Sequence, residues 1–180
     1  MKFEGTLRGV MGALLLALGW GVLEAETAAP VPNLRAVDKR LLQAAQQGNL
    51  TLLKAAIGEG ADVNCRGTNG LPPLLELFRA AAGPLDSERR QCAACLLEHG
   101  AAIDATDSDG RTPLIYATRL GDLETVRLLV EAEAYVKARD RFHKSALFYA
   151  VEAGRRDIVL YLAKNGDLVS MTVKERKALR

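Results

Sequence analysis

The sequence contains few of the residues on which enzymes and metal centres depend. Its two histidines, His99 and His143, stand far apart, and its three cysteines form no Cys/His cluster with the spacing of a zinc site. Neither histidine has a serine, a cysteine or a paired carboxylate at the spacing of a catalytic triad. The sequence also has no glycine-rich phosphate-binding motif. We therefore expect a protein without enzymatic activity, cofactor or bound metal.

Charge of one sign and aromatic residues are also scarce. The formal net charge of +2 gives no reason to expect a nucleic-acid ligand or an anionic membrane. Aromatic residues make up 5% of the chain although 49% of it is hydrophobic, so alanine and leucine must supply much of the core. That composition favours thin helices stacked closely together. A length of 180 residues is consistent with one domain.

The sequence has no hydrophobic run long enough for a comfortable membrane span. The apolar stretch Val10–Val22 has about a dozen residues, whereas a spanning helix needs roughly 20. It has the length of a signal-peptide core. We predict a signal peptide at 1–25, cleaved after Ala25, and a proline-containing linker at 26–33. The protein would then be secreted or periplasmic, with no membrane contact after signal removal; the alternative is a membrane anchor formed by an uncleaved N-terminal segment.

The second half of the sequence repeats itself at an offset of 33 residues. Five pairs of positions match at this offset: Asp107 with Asp140, Thr112 with Ser145, Leu114 with Leu147, Gly121 with Gly154, and Val136 with Val169. A fixed period of this length indicates a repeat architecture, in which each unit buries its apolar face against its neighbours.

One repeat, 107–139, shows most clearly how each unit folds. A Ser-Asp-Gly turn precedes Thr112, whose hydroxyl can cap a helix that begins at Pro113. Gly121 can end that helix in the left-handed conformation. A second apolar stripe, 126–130, then forms a second helix. Two short helices cannot bury their apolar faces alone, so the units must stack.

The unit resembles the ankyrin repeat. The resemblance rests on the Thr-Pro-Leu sequence at Thr112–Leu114 and on the Gly-Ala-Asp-Val-Asn sequence at Gly60–Asn64. It implies an all-α fold, an ankyrin-repeat α-solenoid of about four helix-turn-helix repeats. The predicted boundaries are 34–66, 67–106, 107–139 and 140–172, followed by a basic C-terminal cap at 173–180.

Two departures from the ankyrin pattern lead to separate predictions. The histidine that usually follows Thr-Pro-Leu is replaced by Leu42, Leu75, Ile115 and Phe148. The loss of that polar tie between turn and helix predicts modest stability. The second repeat is also seven residues longer than its neighbours, and we place the extra residues between its helices, around 82–87. Such an insertion is either a binding loop or a tolerated difference in length.

The cysteines and aspartates invite chemical interpretations that their positions do not favour. Cys92 and Cys95 have a C-x-x-C spacing but align with the packed stripe of the second helix, where cysteine acts as a small hydrophobe. Asp104, Asp107 and Asp109 lack the glycine and the glutamate of a calcium-binding loop, so we expect them to stabilise turns.

The resemblance also implies a binding surface, formed by the turns and the exposed side of each first helix. Carrying those positions over gives Arg66, Thr68, Asn69, Leu71, Arg79, Ser108, Asp109, Arg111, Arg119, Leu120, Arg139, Arg141, Phe142, Lys144 and Glu152. We predict partner contacts at Arg66, Asn69, Leu71, Arg79, Arg111, Arg119, Arg139, Arg141, Phe142 and Lys144. Seven of the fifteen are arginine or lysine, which suits an acidic partner surface with a hot spot near Phe142. The alternative is a solvated face that only keeps the protein soluble.

By resemblance, then, the chain is a monomeric, non-enzymatic scaffold that binds another protein through the concave face of an ankyrin stack, and it binds no nucleic acid. An alternative function is a periplasmic accessory or protective factor for a secreted or redox enzyme.

Overall fold

The computed structural model describes residues 34–166 of the chain. The predicted signal peptide, the linker, the last residues of the fourth repeat and the basic C-terminal cap lie outside these residues. No helix within 34–166 is long and apolar enough to cross a membrane.

The described residues form eight α-helices and contain no β-strand. In chain order the helices are α1 Ala36–Gln47, α2 Leu50–Gly58, α3 Pro73–Arg79, α4 Ser87–Glu98, α5 Pro113–Leu120, α6 Leu123–Glu131, α7 Ala146–Glu152 and α8 Arg156–Asn165. Each helix is short, as the sequence predicts. The odd-numbered helices are the first helices of the four repeats, and the even-numbered helices are the second helices.

The helices stack in two rows. The first helix of each repeat packs on the first helix of the next, so α1, α3, α5 and α7 form one row. The second helices α2, α4, α6 and α8 form the other row, and each also contacts the first helix of its own repeat. This arrangement confirms the prediction of an all-α solenoid built from helix-turn-helix repeats.

Polar side chains start most of the helices. Thr112 and Ser145 accept hydrogen bonds from the backbone N–H groups three residues later, at the starts of α5 and α7. Asn49, Asp86 and Asp122 do the same for α2, α4 and α6. Because these caps satisfy N–H groups that lack a partner within the helix, they fix where each helix begins.

Two glycines end first helices in a conformation that other residues avoid. Gly48 has a φ of 72° after α1, and Gly121 has a φ of 73° after α5. A side chain at Gly48 would meet Arg89, which donates hydrogen bonds of 3.2 Å to the carbonyls of Gln46 and Gln47. An arginine of one repeat thus completes the C-terminus of a helix in the preceding repeat.

The core lies between the rows and continues through the stack. One leucine of each first helix is buried within it: Leu41, Leu74, Leu114 and Leu147. The aligned positions Cys92, Thr125 and Ile158 on the second helices are fully buried, whereas Leu52 in the first repeat is 46% exposed. A preceding repeat covers the second helices of repeats two to four, which confirms that Cys92 fills a packing position.

The enlarged segment of the second repeat is fastened to the third repeat. The side chain of Leu85 is buried, and its N–H donates to Asp122 Oδ2 at 2.9 Å. Arg90 donates to the carbonyl of Leu85 at 2.9 Å. Part of the extra length also makes α4 longer than α2 and α6. Leu85 therefore has a packing role.

Candidate functional site

The candidate site is the surface formed by the turns of the third and fourth repeats and the exposed side of α5 and α7. We call it the turn surface and define it by the turns 107–111 and 140–144, together with Tyr116, Arg119 and Tyr149. It contains half of the residues predicted to contact a partner: Arg111, Arg119, Arg141, Phe142 and Lys144.

A partly buried aspartate, Asp107, organises the turn of the third repeat. Asp107 Oδ1 accepts hydrogen bonds of 2.8 Å from the backbone N–H groups of Asp109 and Arg111. Asp107 Oδ2 accepts a hydrogen bond of 2.8 Å from the hydroxyl of Tyr116, the fourth residue of α5. One carboxylate therefore shapes the turn and ties it to the helix that follows.

Asp140 does the same in the fourth repeat. Its Oδ1 accepts hydrogen bonds of 2.9 Å from the N–H groups of Phe142 and Lys144, and its Oδ2 accepts one of 2.5 Å from Tyr149. The prediction that the polar tie between turn and helix is lost was therefore wrong. The tyrosine one position after the usual histidine position supplies a tie to the turn aspartate in both repeats.

A related tie occurs in the second repeat with different side chains. Glu76 occupies the position of Tyr116 and accepts a hydrogen bond from the side-chain amide of Asn69 in the turn. Glu76 is buried, and Arg79 pairs with it at 3.1 Å. Asn69 and Arg79, both predicted to contact a partner, thus also hold their own repeat together.

Burial and hydrogen bonding shift the acidities of these groups. Burial, followed by the hydrogen bond to Asp140, raises the pKa of Tyr149. For Asp140 burial acts to raise the pKa, but the bonds from Tyr149, Lys144 and Phe142 together lower it below its usual value. Both shifts keep the hydroxyl protonated and the carboxylate charged near neutral pH, which is the pairing that the tie requires.

The third and fourth repeats are joined at the turns by Asp109. Its carboxylate lies 2.8 Å from Arg111 in its own turn and 2.8 Å from Arg141 in the next. Its carbonyl accepts a hydrogen bond of 2.8 Å from the N–H of Arg141. Asp109 therefore links adjacent turns and neutralises part of the charge of both arginines.

The arginine that precedes a turn supports the tip of that turn. Arg66 donates to the carbonyl of Gly70 at 2.8 Å, and Arg139 donates to the carbonyl of His143 at 2.8 Å. Both guanidinium groups remain exposed. These side chains combine a structural contact with a positive charge that a partner can reach.

Cations and aromatic rings lie together on the fourth repeat. The guanidinium of Arg141 lies 4.7 Å from the ring centroid of Phe142, and that of Arg119 lies 5.5 Å from the ring of Tyr149. The Lys144 ammonium lies 4.8 Å from the ring of Phe148. Contacts at these distances are attractive because the face of an aromatic ring is electron-rich.

The tip of the fourth turn has an unfavourable backbone conformation. His143 has a φ of 59°, whereas the corresponding residues of the second and third repeats are glycines, Gly70 and Gly110, each with a φ of 75°. An L-amino acid with a side chain is strained in this region. The fourth turn keeps an exposed histidine where glycine would fit more easily.

The structure places most of the predicted contact residues at the surface. Arg66, Asn69, Arg79, Arg119, Arg139, Arg141 and Phe142 are exposed, and Arg111 and Lys144 are partly exposed. The prediction for Leu71 was wrong because only 7% of that residue is exposed. Its N–H bonds to the Asn69 side chain and its carbonyl accepts from the Gly67 N–H, so Leu71 lies at the base of the turn.

The predicted basic stripe is less positive than its count of cations suggests. Four of its seven cations pair with carboxylates: Arg79 with Glu76, Arg111 and Arg141 with Asp109, and Lys144 with Glu152. Asp109 and Glu152 are also among the surface positions that the repeat pattern gives. Their presence beside the arginines and the lysine is a sequence signal from which these ion pairs could have been inferred.

The cysteines do not form a reactive site. Cys65, Cys92 and Cys95 are buried and free, and Cys92 lies in the middle of α4. Burial raises the pKa of Cys65 to about 12 and that of Cys92 to about 11. Because a thiolate is the reactive form, these thiols are poor nucleophiles. Among residues 34–166, no three His, Cys, Asp or Glu side chains are grouped to hold a metal ion.

Comparison with known proteins identifies the repeats. A family model described as ankyrin repeats (3 copies) matches residues 41–140 and 77–172. Cyclin-dependent kinase 4 inhibitor B of Rattus norvegicus is 32% identical over 132 residues, which are 72% of this chain and 95% of that protein. Neurogenic locus notch homolog protein 1 of Xenopus laevis is 33% identical over 132 residues, or 73% of this chain and 5% of that protein.

Another relative is much longer than the matched region. Ankyrin repeat domain-containing protein 63 of Mus musculus is 29% identical over 133 residues, which are 73% of this chain and 33% of that protein. The chain therefore spans about a third of the length of that relative.

Proposed function

The chain belongs to the ankyrin repeat family, and from that premise we propose that it is a non-enzymatic scaffold that binds another protein through its turn surface. Ankyrin repeats generally mediate protein–protein interaction. The name of one relative describes it as an inhibitor of a kinase, so the target of that relative is itself a protein. The mechanism is the presentation of a rigid surface, with no covalent chemistry.

The observation that carries the proposal is the network that fixes the turn surface. Asp107, Asp109 and Asp140 each accept or bridge contacts that hold the two turns in one arrangement. A surface that is already ordered loses little conformational entropy when a partner binds. The joined turns hold Arg111, Arg141 and Phe142 in one fixed arrangement on the surface.

The partner that suits this surface is a protein with an acidic patch. Arg119 on the turn surface and Arg66 and Arg139 beside it are exposed cations; Arg66 and Arg139 donate to backbone carbonyls, and Arg119 lies over the ring of Tyr149. Carboxylates on a partner would add ion pairs there and speed association. The internal pairing of the other cations limits this electrostatic contribution.

The test compares two triple variants of the full chain. Replacing Arg111→Gln, Arg141→Gln and Phe142→Ala should abolish partner binding, while the helical circular dichroism is retained. The control triple, Lys54→Gln, Arg127→Gln and Leu160→Ala, changes the charge equally and lies on exposed positions of the second helices. Recovery of the same partner with the turn-surface triple in pull-downs would show that the turn surface is not the binding site.

The location of the protein is a separate proposal. We propose secretion or export to the periplasm, on the evidence of the short apolar stretch near the N-terminus. The mass of the mature protein tests it, because cleavage after Ala25 removes residues 1–25. A mature protein that retains those residues would support the membrane-anchored alternative.

A further inference from the structure

We propose that Phe142 is the anchor residue of the turn surface, and that it inserts into an apolar pocket bordered by carboxylates on a folded partner protein. This inference rests on the proposed protein-binding function. The proposed function requires only an attraction between a basic face and an acidic partner. The contact of Phe142 with a pocket is more specific, because it also requires a concave surface on the partner.

The first observation is the exposure of Phe142. Half of the residue, 50%, is accessible to solvent. The other large hydrophobic residues that are exposed within 34–166 are Leu52, Tyr135 and Leu160, and none of them belongs to the turn surface. Aromatic residues, phenylalanine included, are enriched at protein–protein interfaces relative to the rest of the surface.

The second observation is that hydrogen bonds and an ion pair fix the loop that carries Phe142. Its own N–H and that of Lys144 bond to Asp140. Arg139 donates a hydrogen bond to the carbonyl of His143, and Arg141 forms an ion pair with Asp109 of the preceding turn. The ring is therefore presented from an ordered loop, so little freedom is lost when it enters a pocket.

The third observation is the strained residue next to it. His143 holds a positive φ that glycine adopts in the second and third repeats. Its side chain is exposed, so packing inside the repeat does not account for its presence. Glu133, outside the turn surface, is the other non-glycine residue among 34–166 with a positive φ, so the backbone of His143 shows that this turn accepts a side chain at its tip.

The chemistry around the ring defines the partner. Arg141 covers one face of Phe142, and its side chain remains 59% exposed. Arg139 and Lys144 flank the same turn. A pocket that accepts the ring must be apolar inside, and carboxylates at its rim would pair with Arg139, whose guanidinium bonds to a backbone carbonyl. Arg141 and Lys144 already pair with Asp109 and Glu152, so they add less to this attraction. A single protruding ring requires a concave, folded surface; an extended acidic peptide offers no such pocket.

The experiment uses the protein that copurifies with the wild-type full chain, identified and then purified separately. Its affinity is measured by calorimetry for the wild type, Phe142→Ala and the control Leu160→Ala, which removes an equally exposed hydrophobic side chain from α8. We expect Phe142→Ala to weaken binding at least about tenfold and Leu160→Ala to change it less than about twofold. Equal melting temperatures of the two variants show that both remain folded.

A crosslinking measurement locates the pocket. A photoreactive phenylalanine analogue replaces Phe142 in one variant and Leu160 in the other. Crosslinks from position 142 should map to an apolar cavity of the partner with Asp or Glu at its edge. Crosslinks to an unstructured acidic segment would overturn the proposed pocket.

The outcomes separate this inference from the proposed function. If Phe142→Ala binds within about twofold of wild type while the turn-surface triple variant fails to bind, the anchor is wrong and the binding surface stands. If the triple variant also binds, both are wrong.

Discussion

The turns of the third and fourth repeats have the same frame and different surfaces. In each, an aspartate accepts two backbone N–H groups and a tyrosine hydroxyl. The third turn then places Asp109 and Gly110 at its tip, whereas the fourth places Phe142 and His143 there. The third turn is relaxed and joined by ion pairs to its neighbour; the fourth is strained and exposes an aromatic ring.

The difference shows how a repeat protein separates folding from recognition. The aspartate–tyrosine pairs, Asp107 with Tyr116 and Asp140 with Tyr149, repeat because each fixes a turn to the first helix of its unit. The groups at the tips differ: Asp109 links the third turn to the fourth, whereas the ring of Phe142 is exposed to solvent. The most regular repeat supplies support, and the less regular one supplies the distinctive side chain.

The largest expected effect is the loss of an organising aspartate. Asp140→Ala removes the acceptor of three hydrogen bonds and should reduce the free energy of unfolding by about 3 kcal/mol. Asp107→Ala should cost a similar amount, because it organises the third turn in the same way. Urea denaturation measures both. A loss of less than about 1 kcal/mol in the free energy of unfolding for either variant would show that its aspartate does not organise the turn.

Removing only the tyrosine hydroxyl should have a smaller effect. Tyr149→Phe leaves the two backbone bonds to Asp140 in place and deletes one hydrogen bond to a charged group, so we expect a loss of about 2 kcal/mol. Tyr116→Phe is the matched variant in the third repeat. If both variants unfold at the same urea concentration as the wild type, these hydroxyls do not replace the missing histidine tie.

Acid should weaken the fourth turn through Asp140. Its pKa is lowered from 3.8 in the folded state, so the stability it contributes is present above the unfolded pKa and is lost as pH falls through the folded value. We expect the wild-type melting temperature to fall more steeply below about pH 4 than that of Asp140→Asn. Parallel melting curves for the two proteins would show that Asp140 is not responsible.

The smallest expected effect is at the turn tip, and it has the opposite sign. His143→Gly relieves the positive φ and should stabilise the fold by up to about 1 kcal/mol. Gly110→Ala is the reverse change in the third turn, and its Cβ would also lie 3.3 Å from the N–H nitrogen of Arg141, so it should destabilise. Chemical denaturation of the two variants should therefore move in opposite directions.

Much of the fold was predictable because its signals are local. Thr112 and Pro113 start a helix, and Gly121 ends it, through contacts within a few residues. The burial of Cys92 followed from aligning it with Thr125 and Ile158. The exposure of Leu71 was predicted wrongly because the repeat pattern gives its position in the turn but not the closing hydrogen bonds to Asn69 and Gly67.

The surface was less predictable because its pairs form between groups that stacking brings together. The sequence showed Arg111, Arg141 and Asp109 as neighbours on one face, yet it did not show that the carboxylate bridges both arginines. The role of Tyr149 was missed for a similar reason, since Asp140 lies nine residues before it and meets it only once the turn has closed.

By itself the sequence determined the period of 33 residues, the pairing of short helices and their stacking in an all-α solenoid. Helix caps, glycines and apolar spacing act over a few residues, so the sequence alone is enough to predict the helices and their repeat. Only the tertiary structure decided which cations remain available, how Leu85 is fastened to Asp122 and how Phe142 is displayed. Those properties depend on side chains from different turns and repeats, whose distances exist only after the units have stacked.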